Sequence, residues 1–129
     1  MTEYYPAFIN VRNRRCVVIG GGNIGQEKIE SLLDCGAAIV VISPDVNESV
    51  REMASNGEVT WKQREYQQGD LDGAFIAIAA TDDNSTNRTI SAEAHVRNVL
   101  LNIVDVTPLC TFIAPSIARR GDVTIATST

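Results

Sequence analysis

No stretch of this sequence is apolar for the roughly 20 residues that a membrane-spanning helix needs, so no membrane partner is expected. The first residues, MTEYYPAF, lack the basic and apolar regions of a secretory signal, and a cytoplasmic location is the expectation. Basic residues are in deficit: 11 lysines and arginines stand against 16 acids, a formal net charge of -5. A nucleic-acid binder normally presents a basic face, so no nucleic-acid partner is expected. The three cysteines, Cys16, Cys35 and Cys110, are odd in number and widely spaced without a CxxC pair. That spacing argues against a disulfide framework and against a metal site. Cys16 opens an apolar run and Cys35 sits late in a predicted helix, so both are expected to be small buried side chains. Cys110 has no neighbouring histidine to activate it, and the sole histidine, His95, falls within a predicted helix. Repeats, linkers and low-complexity tracts are missing too. What remains is one ordinary domain of 129 residues, 44% hydrophobic, long enough to bury a core.

The apolar pattern alternates between strands and helices, which predicts an α/β fold with a parallel sheet covered by helices on its faces. A short leading strand is expected at Ala7–Val11, turning at Asn13-Arg14. The run Cys16–Ile19 is continuously apolar and β-branched, as in a strand buried on both faces. A helix from about Ile24 to Cys35 follows, with Ile29, Leu32 and Leu33 at helical spacing and Gly36 as its stop. Ile39–Ile42 is the next strand. Ser43 and Pro44 then read as the cap and first residue of a helix, which carries Val46, Val50, Met53 and Ala54 on one face and ends at Asn56-Gly57. Val59–Lys62, Ala74–Ala79 and Val99–Leu101 read as strands, with a helix to about Arg97 before the last. Beyond Asn102 the alternation stops, and Ser116–Arg120 with Val123–Thr127 looks like a hairpin turning at Gly121-Asp122. The final strand ends without a terminal helix, as though a longer protein were cut there.

Gly20-Gly21-Gly22-Asn23-Ile24-Gly25 matches G-x-G-x-x-G, and it lies directly between a buried strand and an amphipathic helix. This is the context of a Rossmann-type doubly wound fold. Gly20 permits the tight turn, Gly22 lets backbone approach a pyrophosphate, and Gly25 lets helix and strand pack closely. The free N–H groups around Asn23 and Ile24 then face the phosphates. Such folds usually end the second strand with an acid that binds ribose, where this chain has Ser43. Asp45, after Pro44, can either reach the ribose hydroxyls or supply favourable charge to the first turn of a helix. No arginine flanks Ser43 to hold a 2′-phosphate, so NAD is expected over NADP.

The glycine loop, Ala79–Asn84 and Asn102–Asp105 should converge at the carboxyl ends of the strands, where open α/β sheets bind ligands. The small Ala79 and Ala80 would let a flat ring pass close to backbone, with Ala80 and Thr81 as cofactor-binding candidates, and Asp82 is expected to cap the following helix. Asp105 follows a strand, and Pro108 is expected to keep the next segment extended. Position alone leaves Asp105 open between proton transfer and a turn-forming role.

These residues resemble the precorrin-2 dehydrogenases, the N-terminal module of siroheme synthases. The resemblance runs from Pro6-Ala7-Phe8 through the glycine loop and the Glu27-Lys28 pair to Ala77–Asp83 and Asn87. It continues through Asn102-Ile103-Val104-Asp105, Phe112–Ile117 and Ile125–Thr129. It implies NAD-dependent oxidation of precorrin-2 to sirohydrochlorin, with Asp105 as the catalytic aspartate that in some members also serves iron insertion. It further implies a Rossmann domain over residues 1–113 and, over 114–129, the start of a dimerisation and substrate region of a homodimer. The substrate carries many carboxylates, for which Arg88, Arg119 and Arg120 are candidate partners. Two alternatives are a nucleotide-sensing module like those that gate bacterial potassium transporters and a small dehydrogenase of another substrate.

Overall fold

In the computed structural model, which describes residues 3–129, the apolar runs form five short parallel strands. They are β1 (Arg15–Ile19), β2 (Ala38–Ile42), β3 (Thr60–Lys62), β4 (Ile76–Ala79) and β5 (Leu100–Ile103). Their order across the sheet is β3-β2-β1-β4-β5, with every neighbouring pair parallel. Three helices connect them: α1 (Asn23–Asp34), α2 (Glu48–Ser55) and α3 (Asn84–Arg97). From β1 the chain steps outward to β2 and β3, then crosses back to the other side of β1 for β4. That reversal is the switch point at which such sheets hold ligands.

Alternate side chains of each strand point to opposite faces, and the two faces bury separate clusters. Cys16, Val18, Val41 and Ile78 pack with Ile29 of α1 and Val50 of α2. Val17, Ile19, Ile42, Ala77 and Leu101 pack with Ile90 and Ala94 of α3. Helices therefore cover both faces, as a doubly wound fold requires. Ile29 and Ile90 are fully buried, each contributing about 2–3 kcal/mol from apolar area removed from water. Gly36, with φ of 81°, follows α1 as the expected stop.

Several expectations fail for local reasons. Ala7–Val11 forms no strand: both flanks of β1 are taken by β2 and β4, so the segment has no partner, and only Val11 within it is buried. The helix expected at Ser43-Pro44 starts later, at Glu48, because Asn47 is the cap and accepts from the Val50 amide at 3.0 Å. Asp83 rather than Asp82 caps α3, accepting from the Thr86 amide at 3.1 Å. Cys16 is buried but Cys35 is exposed, since it lies at the cap of α1. Pro108 sits in a 3-10 turn, Thr107–Leu109, and not in an extended segment. The hairpin appears as expected, with β6 (Ser116–Arg120) antiparallel to β7 (Val123–Thr127) in a sheet of its own. Among the described residues no helix is long and apolar enough to cross a membrane.

The loop between β3 and β4 is held by a buried acid that the sequence pattern does not reveal. Glu93, on α3, accepts from the Tyr66 hydroxyl, from the Gly69 and Leu71 amides at 2.9 and 3.0 Å, and from Arg97 at 3.1 Å. Burial alone would raise its pKa, but these donors outweigh burial and hold it below the usual glutamate value. Burial and the Glu93 carboxylate push the Tyr66 hydroxyl above its usual range, so it stays a donor. Asp70 follows the same pattern: burial opposes ionisation, but Arg64, at 2.7 Å, and the Gln67 amide lower its pKa. A carboxyl whose folded pKa is depressed stabilises the fold above its unfolded pKa and loses that contribution as pH falls through the folded value. The thermal midpoint should therefore drop as pH is lowered from about 5 to 3, near the ordinary values of these acids. Glu93→Gln should flatten that profile and cost about 1–3 kcal/mol, because Gln accepts fewer of the four donors. Calorimetric melts of both proteins across that range check it.

Candidate functional site

The carboxyl ends of β1, β2, β4 and β5 open onto a cleft of about 570 Å³. Its floor is the glycine loop. Gly20 has φ of 111°, and a side chain there would press its Cβ to 2.6 Å from the Ala80 carbonyl oxygen. Gly21, which the motif leaves free, is also required: a Cβ would overlap Val46, and its carbonyl accepts from the Asn47 amide at 2.8 Å. Gly25 packs against the Gly20 carbonyl with no room for a Cβ. Gly22 differs from all three. Its φ is an ordinary -82° and a Cβ there would meet nothing within 4 Å.

Gly22 is also the cap residue of α1, and no side chain caps that helix. Asn47 and Asp83 do cap α2 and α3. The first N–H groups of α1 therefore remain available, and the helix dipole makes that end attractive to an anion.

Of the residues the sequence points to, Gly20, Gly22, Ile24, Ser43, Pro44, Asp45, Ala80, Thr81 and Asp105 all line the cleft. Asn23 and Gly25 do not. The Asn23 side chain accepts from Asn47 at 3.2 Å, and Gly25 serves the packing of α1 on the sheet. Ser43 is buried, and its hydroxyl donates to the Asp45 carbonyl at 2.5 Å. It shapes the turn rather than capping a helix. Asp45 lies three residues before α2, so charge in that helix's first turn is not its role, and its exposed carboxylate stands at the cleft. Ala80 is anchored by its amide to the Ile19 carbonyl at 2.7 Å, which brings the loop after β4 against the glycine loop.

Asp105 follows β5 with φ of 65° and is exposed. Aspartate tolerates this left-handed geometry better than most residues, so the residue makes the turn and also presents a carboxylate to the cleft. The turn-forming reading of Asp105 thus has its geometry, and its place on the cleft leaves the proton-transfer reading open. The sequence pattern did not single out Glu65, Tyr66 or Val106, which complete the walls, whereas Val104 falls in the Asn102–Asp105 segment expected there. The first two arrive from the loop that Glu93 holds, and only long-range hydrogen bonds place it there.

Every charged side chain on the cleft is acidic: Asp45, Glu65, Asp82, Asp83 and Asp105. Arg88, Arg119 and Arg120 do not line it, and the Arg119 guanidinium lies instead 3.8 Å from the Cys35 sulfur. His95 is exposed on α3.

Residues 7–116 match the family described as "Putative NAD(P)-binding". The chain belongs to this family. The uncapped helix and glycine cradle of this NAD(P)-binding domain suit a dinucleotide pyrophosphate. Over 98% of its length the domain is 40% identical to the siroheme synthase of Methylobacillus flagellatus, and it covers 27% of that protein. The siroheme synthase of Pseudomonas fluorescens is 43% identical over 98% of the chain, again with 27% of that protein covered. Among solved structures, "SirC, precorrin-2 dehydrogenase" superposes with a TM-score of 0.85 at 26% identity. That match covers 98% of this chain and 62% of SirC. The domain thus spans about a quarter of the curated relatives named here, and its likeness to SirC supports the Rossmann-type sheet.

Proposed function

We propose that this domain binds NAD and oxidises precorrin-2 to sirohydrochlorin in the cytosol, as a step toward siroheme. The observation that carries the reading is the cleft: a side-chain-free cradle at Gly22 and Asp105 line one cleft, in a chain alike to siroheme synthases along 98% of its length. Gly20, Gly22 and the N–H groups at Asn23 and Ile24 would hold the pyrophosphate. Asp45, beside Ser43 and Pro44, would take the ribose hydroxyls. Ala80 and Thr81 would let the nicotinamide lie against backbone.

When bound, NAD accepts a hydride. The other product of removing two hydrogens from precorrin-2 is a proton, which Asp105 would take, giving sirohydrochlorin, NADH and H⁺. Insertion of iron into that product would draw on the same carboxylate. The cleft offers a polycarboxylate no cation, so the charge that holds the substrate must come from outside it. Residues 114–129 begin a dimerisation region in this reading, consistent with the exposed apolar side chains Ile117, Val123 and Ile125 on the hairpin. Sedimentation of the whole homodimer with Ile125→Glu would expose a hairpin that plays no part.

Cofactor choice gives the direct test. Asp45 and Glu65 line the cleft beside the β2 end, and like charges disfavour a 2′-phosphate. NAD should bind at least about tenfold tighter than NADP in calorimetric titration, a difference of ~1.4 kcal/mol. Adding precorrin-2 to the protein with NAD should then produce NADH absorbance. Tighter NADP binding, or no NADH with precorrin-2, would reject the reading.

A further inference from the structure

Asn87 holds an unpartnered polar atom at the edge of the cleft. It lies in the first turns of α3, lines the cleft, and is 1% exposed. Its Nδ2 donates to the Thr81 carbonyl at 3.1 Å. That bond fixes which way the amide faces, because turning it over would set two acceptors against each other. Its Oδ1 is then buried with no donor among the described residues. It is the one buried side-chain nitrogen or oxygen among them in that position. Other buried polar side chains have partners: Glu93 has four donors, Asp70 has Arg64 and Gln67, and Asn102 donates to Phe112. Leaving a buried acceptor unmatched costs free energy, and such groups recur where a ligand completes the set.

We propose that Asn87 is a ligand-binding residue of this cleft, its Oδ1 accepting a hydrogen bond from an N–H or O–H group of the bound dinucleotide. The inference rests on the NAD reading above and adds a residue to it. Dinucleotides carry three kinds of suitable donor: the adenine amine, the ribose hydroxyls and the nicotinamide carboxamide. The turn between Ala80 and α3 carries the Thr81 carbonyl that Nδ2 holds. Its residues Asp82, Asp83 and Asn84 are exposed, and the side-chain bonds of Thr81 and Asp83 there are local. Displacement of that turn by the ligand would give the ligand access to the acceptor. Asn87 would then couple cofactor occupancy to the position of Thr81, whose carbonyl it already holds.

Calorimetric titrations of NAD, AMP and nicotinamide mononucleotide into the wild-type chain and Asn87→Leu test this. Leucine has similar bulk and removes the acceptor. NAD affinity should weaken about three- to tenfold, the scale of one hydrogen bond. The thermal midpoint should move little, because loss of the bond to Thr81 is offset by removal of an unmatched acceptor. Whichever fragment weakens in parallel with NAD carries the donor. A purely structural Asn87 would lower the midpoint and leave affinity unchanged, which overturns the proposal. Should the leucine variant fail to fold, the wild-type side-chain amide resonances of Asn87 decide: they should shift on NAD addition, and no shift refutes the assignment. Wild-type protein that binds no NAD defeats the cofactor reading itself. Wild-type protein that binds NAD without any response at Asn87 defeats this inference alone.

Discussion

Replacing Asp105 by alanine should lower turnover of precorrin-2 with NAD by about 100-fold or more, the scale of a lost positioned acid–base group, while NAD affinity stays nearly unchanged. The two effects should separate because Asp105 follows β5, whereas the glycine loop, the proposed pyrophosphate cradle, lies between β1 and α1. Asp105 also makes a left-handed turn, with φ of 65°, so alanine carries a backbone cost of about 1–2 kcal/mol. Asp105→Asn is the sharper variant. Asparagine tolerates the same φ and keeps the shape of the side chain, but it cannot take a proton. If asparagine restored most of the rate, Asp105 would serve to orient rather than to accept the proton. If it fell as far as alanine with the melting midpoint of the parent, the base assignment would stand. Steady-state rates and melts of the two variants, in the protein that carries this domain, give the answer.

Gly22→Val should abolish detectable NAD binding and leave the fold intact. This separation is unusual for a glycine in a tight loop. At Gly20, Gly21 and Gly25 a side chain would strike Ala80, Val46 or the Gly20 carbonyl, so substitutions there would damage the fold before they tested the ligand. At Gly22 the backbone is ordinary and the neighbouring space is open. Valine would fill the volume where backbone is expected to meet pyrophosphate, and its Cβ would meet nothing within 4 Å in the unliganded domain. A loss of at least about 100-fold in affinity, above 2.7 kcal/mol, is expected by calorimetry. A melting midpoint close to the parent's would confirm that the loss is local. Undiminished NAD affinity in folded Gly22→Val would sink the placement of the pyrophosphate.

Local sequence was enough for the elements whose identity rests on period and punctuation. Cys16–Ile19 and Ile39–Ile42 read as buried strands because every residue is apolar, and a strand covered on both faces needs that. The glycine loop was legible because its strand and helix flank it directly. The hairpin was legible from the Gly121-Asp122 turn between two short segments. Asp105 was singled out by its place after a strand and by the family pattern around it, and the structure puts it on the cleft.

Tertiary structure decided what depends on partners distant in sequence. Ala7–Val11 is a short, largely apolar run that reads as a strand, but both edges of β1 were already occupied. Ser43-Pro44 resembles a helix start, but the Ser43 hydroxyl and the Asn47 cap settle the register of α2 four residues later. Tyr66 and Glu65 reach the cleft only because Glu93, 27 residues beyond Tyr66, collects the donors of that loop. The unmatched acceptor of Asn87 exists only through burial and through the position of the Thr81 carbonyl. Periodicity encodes which face of an element is apolar. It does not encode which donor meets which acceptor once the faces are packed, and in this domain those meetings set the walls of the cleft.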